Sequence, residues 1–178
     1  MPRIHQRRSI RIPGYDYTSP GVYFLTLCTH ERRQVFGSIQ GGKMILSRAG
    51  EIAQNELKRL SRRFPLIEMG EYVVMPDHVH LLVFVVEPGT GCAEQFGQPV
   101  AGSIPTIVRS YKASVTWLVM RLPRWPGGAV WQRNYYEHIV RDEAGIDMVS
   151  AYIRMNPERW VGHGGKGHGG NPGEEIFR

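Results

Sequence analysis

Acidic side chains are absent from the whole stretch between Glu94 and Glu137, and also from residues 1 to 13. The first stretch carries Arg109, Lys112, Arg121, Arg124 and Arg133, the second Arg3, Arg7, Arg8 and Arg11. Such one-sided charge disfavours basic partners and suits a polyanion; a solvated basic face is the plainer account of the same residues. Long apolar runs are missing too. None reaches the roughly 18 residues that a membrane helix needs, and the basic opening MPRIHQRRSIRIPG lacks the apolar centre of a secretory signal. Cysteine is scarce: Cys28 and Cys92 lie far apart and form no C-x-x-C pair, so they read as free thiols in a reducing compartment. These absences lead to the expectation of a soluble, cytoplasmic chain. Its 178 residues, 42% of them hydrophobic, suffice for one domain with a real core.

Periodicity divides the chain into alternating elements. VYFLTLCTH, with β-branched and aromatic content, predicts a first strand. SRAGEIAQNELKRLSRRFP predicts a helix capped by Ser47, with Ile52, Ala53, Leu57 and Leu60 as its apolar stripe. IEMGEYVVM and HVHLLVFVV predict two strands joined at Pro76-Asp77, followed by a loop over residues 87 to 103. A second helix follows, with Ser103 as cap and Pro105 in its first turn. Its core stripe is Ile107, Tyr111, Val115, Leu118 and Leu122, and Arg109 and Lys112 lie on another face. AVWQRNYYEHIVR predicts a fourth strand, and Asp142 caps a last helix, EAGIDMVSAYIRMN, which Pro157 is expected to stop. The resulting order, β-α-β-β-α-β plus a helix, closes naturally as a split βαβ sheet, mostly antiparallel, with two helices on one face.

The chemistry concentrates in MPDHVHLLVFVV, residues 75 to 86. His78 and His80 are i and i+2 on a strand and share a face, which Leu82 and Phe84 continue. Two such imidazoles are either a hydrogen-bonded edge pair or two ligands of a divalent metal. On the last helix Tyr152 and Asn156 are i and i+4, adjacent to the face marked by Ile146, Val149 and Ile153. Packing at a boundary is the bland account of the tyrosine, and ending the helix that of the asparagine.

MPDHVHLLV resembles the His-hydrophobic-His motif of single-tyrosine HUH transposases. WQRNYYEHIVRDE followed by YIRMNPERW, together with the opening RRSIRIPGYDYTSPGVYFLTLCTHERRQVFG, resembles their REP-associated branch, the REP-associated tyrosine transposases. The likeness runs from about Arg7 to Trp160. It implies a ferredoxin-like palm with a four-stranded antiparallel sheet and a C-terminal catalytic helix, spanning residues 21 to 161. A basic arm precedes it (1 to 20), and a Gly-rich tail expected to be disordered follows (162 to 178).

By the motif match, His78 and His80 would hold a catalytic Mg²⁺ or Mn²⁺, with Asn156 as third ligand. Relatives from insertion sequences often carry Gln at the Asn156 position. Tyr152 would be the nucleophile, rather than Tyr135 or Tyr136, and Glu137 and His138 would orient the ligand shell. A phenol with pKa of about 10 is a poor nucleophile at neutral pH. A metal that neutralises the scissile phosphate would let it attack and form a covalent phosphotyrosine. The implied partner is single-stranded hairpin DNA, in the nucleoid rather than at a membrane. Arg7, Arg8, Arg11, Arg109, Lys112 and Arg133 would contact its backbone, and Tyr15 and Tyr17 would stack on bases; core packing is favoured for Trp131. The protein would act as a monomer or homodimer. The competing expectation is a domesticated relative that binds hairpins without cutting them.

Overall fold

The structure, a computed structural model, describes residues 16–87 and 100–162. Arg7, Arg8, Arg11, Tyr15, Cys92 and the tail from residue 163 lie outside the described residues. The elements are β1 (Gly21–Cys28), β2 (Gly37–Gln40), β3 (Lys43–Leu46), α1 (Arg48–Lys58), α2 (Leu60–Arg63), β4 (Ile67–Met75), β5 (His78–Val85), α3 (Ile104–Val119), β6 (Tyr136–Val140) and α4 (Glu143–Gly162). A 3₁₀ turn, His30–Arg32, follows β1. The main sheet is antiparallel in the order β4-β5-β1-β6. That is the split βαβ arrangement expected from the alternation of elements.

Strand alternation sorts the side chains into two layers. Tyr23, Leu25 and Leu27 of β1 and Val79, Leu81, Val83 and Val85 of β5 pack with Ala53 and Leu57 of α1 and Ile107, Tyr111 and Val115 of α3. Phe24 and Leu82 point the other way and pack with Val140, Val149, Tyr152 and Ile153 under α4. Helix starts follow their caps: the Gly50 amide donates to Ser47 Oγ, the Thr106 amide to Ser103 Oγ and the Gly145 amide to Asp142 Oδ1. No helix among the described residues is long and apolar enough to cross a membrane.

Three expectations need correction. A β2–β3 hairpin intervenes before α1; Gly41 and Gly42 sit at φ 56° and 73°, the left-handed pair a two-residue hairpin turn demands. The fourth strand is shorter than 129–141. Trp131 makes only an isolated bridge to Thr29 and inserts its ring between Phe36 and Tyr111. The Gln132 and Asn134 carbonyls meanwhile accept from Lys112 Nζ instead of a neighbouring strand. Finally, Pro157 does not stop α4, which continues to Gly162 and lays Trp160 against the His78 ring at 5.8 Å between centroids. Proline forfeits one helical hydrogen bond, and the Trp160 contact favours continuation.

Gly50 marks where α1 presses on the chain leaving β1. A Cβ there would stand 2.0 Å from the Phe36 carbonyl oxygen. Gly50→Ala is therefore expected to destabilise the fold by about 2 kcal/mol or more, although alanine is the better helix former; chemical denaturation measures it directly.

Candidate active site

β1 and β5 pair with Cys28 opposite His78 and Thr26 opposite His80, so these four side chains share the sheet face covered by α4. His78 is 2% exposed and His80 0%. Their Nε2 atoms face each other at 3.0 Å. Each ring is held from behind. His78 Nδ1 lies 2.6 Å from Asp77 Oδ1, and because a carboxylate only accepts, that nitrogen carries the proton and leaves Nε2 as a lone pair. His80 Nδ1 lies 2.9 Å from the Thr26 hydroxyl, which both donates and accepts and so serves either tautomer of His80. Burial lowers the pKa of His78, partly opposed by Asp77. It lowers that of His80 well below the ordinary value, assisted by the neighbouring His78. Both rings are thus kept neutral near pH 7, the form that binds metals.

α4 completes the group. Tyr152 (8% exposed) packs its ring against His80 at 5.3 Å and against Phe24 at 6.1 Å, with the Arg159 guanidinium 5.7 Å from its centroid. One turn on, the buried Asn156 side chain hydrogen-bonds His78. The i, i+4 spacing read from the sequence therefore brings both residues to the histidines.

The donor set has room for a divalent ion. Two imidazole nitrogens each about 2.1 Å from one ion at a right angle stand about 3.0 Å apart, which is the observed spacing. The Asn156 side-chain amide stands beside them. Among the described residues no three His, Cys, Asp or Glu side chains cluster as a metal group. Cys28 lies across from His78, but burial raises its thiol pKa, only partly opposed by Arg32, whose Nη1 donates to the sulfur at 2.9 Å, so it supplies no ready thiolate. Two imidazole nitrogens and an amide are fewer than the four ligands of a closed structural zinc site and would leave positions open on a bound ion.

Other expected residues fall elsewhere. Glu137 lies on the opposite sheet face, opposite Leu25, where its carboxylate pairs with the Tyr17 hydroxyl; it does not orient the histidines. Strand alternation sends it there, and the sequence reading weighed only its nearness along the chain. Tyr17 is correspondingly a core residue, 2% exposed, and offers no stacking surface. Lys112 is turned inward onto two carbonyls, 5.9 Å from the Trp131 ring, and burial lowers its pKa to about 8. Its role is to hold the segment before β6 rather than a phosphate. His138 shares the histidine face but stands on β6, with β1 between. Arg109 and Arg133 are exposed. Arg109 rides on α3, across the sheet from His78, whereas Arg133 follows Gln132, whose amide donates to the Cys28 carbonyl at the histidine end of the sheet. The residues missed were Asp77, Thr26 and Arg32; Asp77 and Thr26 are signalled only by their register beside the histidines.

The lowered histidine pKa values have a consequence. The unfolded chain takes up these protons near pH 6.5, the folded chain only at lower pH, so stability falls as pH drops below about 6.5. The metal-free protein should melt lower at pH 5 than at pH 7, and His80→Gln should shrink that difference. Equal pH sensitivity in both proteins would contradict the burial of the neutral ring.

No family model matches the chain. It is 37% identical over 167 residues to an uncharacterised protein of Haemophilus influenzae, covering 88% of this chain and 91% of that one. A second protein of that organism, named as a candidate REP-associated tyrosine transposase, is 24% identical over 149 residues, covering 84% of this chain and 75% of the relative. The solved structure of a REP-associated tyrosine transposase bound to a REP hairpin superposes with a TM-score of 0.57 at 19% identity, covering 84% of this chain and 72% of that chain; it attests the fold. The chain is thus similar in sequence to a protein named as a candidate REP-associated tyrosine transposase and shares the fold of a solved one.

Proposed function

We propose that this protein cuts and rejoins single-stranded DNA beside a hairpin through a covalent 5′-phosphotyrosine, with Tyr152 as nucleophile and a divalent metal at His78, His80 and Asn156. The observation that carries this reading is the convergence of the two Nε2 atoms, the Asn156 amide and the Tyr152 ring on one sheet face. When bound, Mg²⁺ or Mn²⁺ supplies positive charge at the non-bridging oxygens of the scissile phosphate. The rest is done by the chain. Tyr152 attacks phosphorus in line; its Oη–P bond forms, the P–O3′ bond breaks, the phenolic proton departs and the 3′ oxygen leaves as a hydroxyl. The reverse attack by a 3′-hydroxyl restores the phosphodiester and the free tyrosine. No nucleotide is consumed, because the phosphoester is conserved in the protein–DNA bond.

Burial of the tyrosine between Phe24 and His80 holds its ring in place and keeps competing water away from it. Arg159, its guanidinium 5.7 Å from the centre of that ring, is a cation beside the proposed nucleophile. Hairpin DNA is the substrate proposed because the solved neighbour of the same fold is bound to a REP hairpin. Phosphate contacts would come from Arg133, near the histidine end of the sheet, and from Arg109 on the far layer, with the arm arginines Arg7, Arg8 and Arg11.

The test is a denaturing gel with a labelled single-stranded hairpin from the protein's own locus, with Mn²⁺. Wild type should give a slow-migrating adduct, and Tyr152→Phe none, while Tyr135→Phe and Tyr136→Phe keep it. Hairpin binding with no adduct from wild type would instead favour a binding protein that has lost cleavage, and metal-dependent cutting that survives Tyr152→Phe would indicate hydrolysis by water. Arg133→Ala and Arg109→Ala should each lower the slope of log affinity against log salt by about one; an unchanged slope removes that residue from the DNA interface.

A further inference from the structure

The chain leaving β1 adopts a conformation its sequence disfavours. Glu31 and Arg32, neither of them glycine, sit at φ 53° and 56°, in the left-handed region that L side chains rarely occupy. What this turn achieves is visible at its far end. Arg32, 24% exposed at its side chain, brings Nε to 3.0 Å from Asp77 Oδ2, while Nη1 donates to Cys28 Sγ. The turn is tied to the same residue through its backbone: the Thr29 amide and hydroxyl both donate to the Asp77 carbonyl at 2.9 Å. Asp77 is 2% exposed, and all three of its oxygens are engaged, the last by His78 Nδ1 at 2.6 Å. A buried carboxylate that accepts from two donors on its two oxygens has one orientation only.

We propose that Arg32 is a positioning residue for the metal seat. It fixes the Asp77 carboxylate, which fixes the ring plane and tautomer of His78, so that Nε2 presents its lone pair towards His80. The chain of contacts is Arg32 Nε to Asp77 Oδ2, Asp77 Oδ1 to His78 Nδ1, and His78 Nε2 to His80 Nε2. Arg32 acts through Asp77 and needs no contact with substrate. The guanidinium is required for its shape, since a single planar group reaches both Asp77 and the Cys28 sulfur. A lysine ammonium keeps the charge and loses that fork. This inference rests on the metal site proposed above, and its test separates the two.

Two measurements on the whole protein decide it. In the first, Mn²⁺ affinity is measured by calorimetry for wild type, Arg32→Lys and Asp77→Asn, with melting curves confirming that each is folded. Each variant should bind about tenfold more weakly, the loss expected when an outer-shell partner of a ligating histidine is removed. Because Arg32→Lys conserves charge, that loss would report geometry rather than electrostatics. Should Arg32→Lys fail to fold, Asp77→Asn carries the test one link further along, since an amide has one accepting oxygen and cannot serve both Arg32 and His78. The second measurement reads the His78 imidazole ¹⁵N shifts in metal-free protein. Wild type should show one tautomer, protonated at Nδ1, and Arg32→Lys a mixture. Wild-type affinity in the variants, or an unchanged His78 tautomer in Arg32→Lys, overturns the proposal. If wild type takes up no Mn²⁺, the metal site falls, and the tautomer measurement still decides whether Arg32 positions the ring.

Discussion

One proton or one cation belongs between the Nε2 atoms of His78 and His80, and the rest of the site depends on that constraint. The two nitrogens are 3.0 Å apart, too close for both to carry hydrogen. Asp77 assigns the His78 proton to Nδ1, so the gap is filled either by a hydrogen from His80 or by a metal. Thr26 makes both states acceptable. Its hydroxyl donates to His80 Nδ1 in the first and accepts from it in the second. The pair is a satisfied hydrogen bond in the metal-free protein and would be a ligand pair under the metal site proposed above. Desolvation strengthens the arrangement, because burial of both rings disfavours the imidazolium form that would compete with metal.

The fold serves this gap from two sides. Pairing of β1 with β5 puts Thr26 and Cys28 beside the histidines, and the opposite face of the same strands is anchored by α1 and α3. α4 closes the second face, with Val149 and Ile153 in its small core and Tyr152 and Asn156 one turn apart over the rings. Its continuation through Pro157 brings Trp160 onto His78. A helix ending at Asn156 would leave that ring without its cover. The strained turn at Glu31 and Arg32 supports the site from the end of β1, at a conformational cost of about 1–2 kcal/mol for each left-handed residue.

Much of this was legible in the sequence where one rule acted alone. Alternation placed His78, His80, Leu82 and Phe84 on one face, helical spacing paired Tyr152 with Asn156, and the caps at Ser47, Ser103 and Asp142 are where their residue types put them. The β2–β3 hairpin was legible and missed: Gly41-Gly42 between alternating apolar residues is a hairpin signal. Glu137 could have been excluded by parity, since its neighbours Tyr136 and His138 face the histidine side. Other features were out of reach. Arg32 reaches Asp77 across a long stretch of chain through a backbone conformation that no local propensity favours. Lys112 looked like a phosphate contact because charge pattern does not say which way a half-buried ammonium turns. Pro157 obeyed its propensity only until tertiary packing on the sheet outweighed it.

The likeness to REP-associated tyrosine transposases is what motivates the proposal of DNA chemistry, and the arrangement of four side chains gives that proposal a physical basis in this chain. The metal position is the point on which the account turns. The most direct measurement is an anomalous difference map from a crystal of the protein grown with Mn²⁺. The account predicts one strong peak about 2.2 Å from both His78 Nε2 and His80 Nε2, with the Asn156 side-chain oxygen in its shell. A peak elsewhere, or an intact hydrogen bond between the two imidazoles at saturating Mn²⁺, would contradict it.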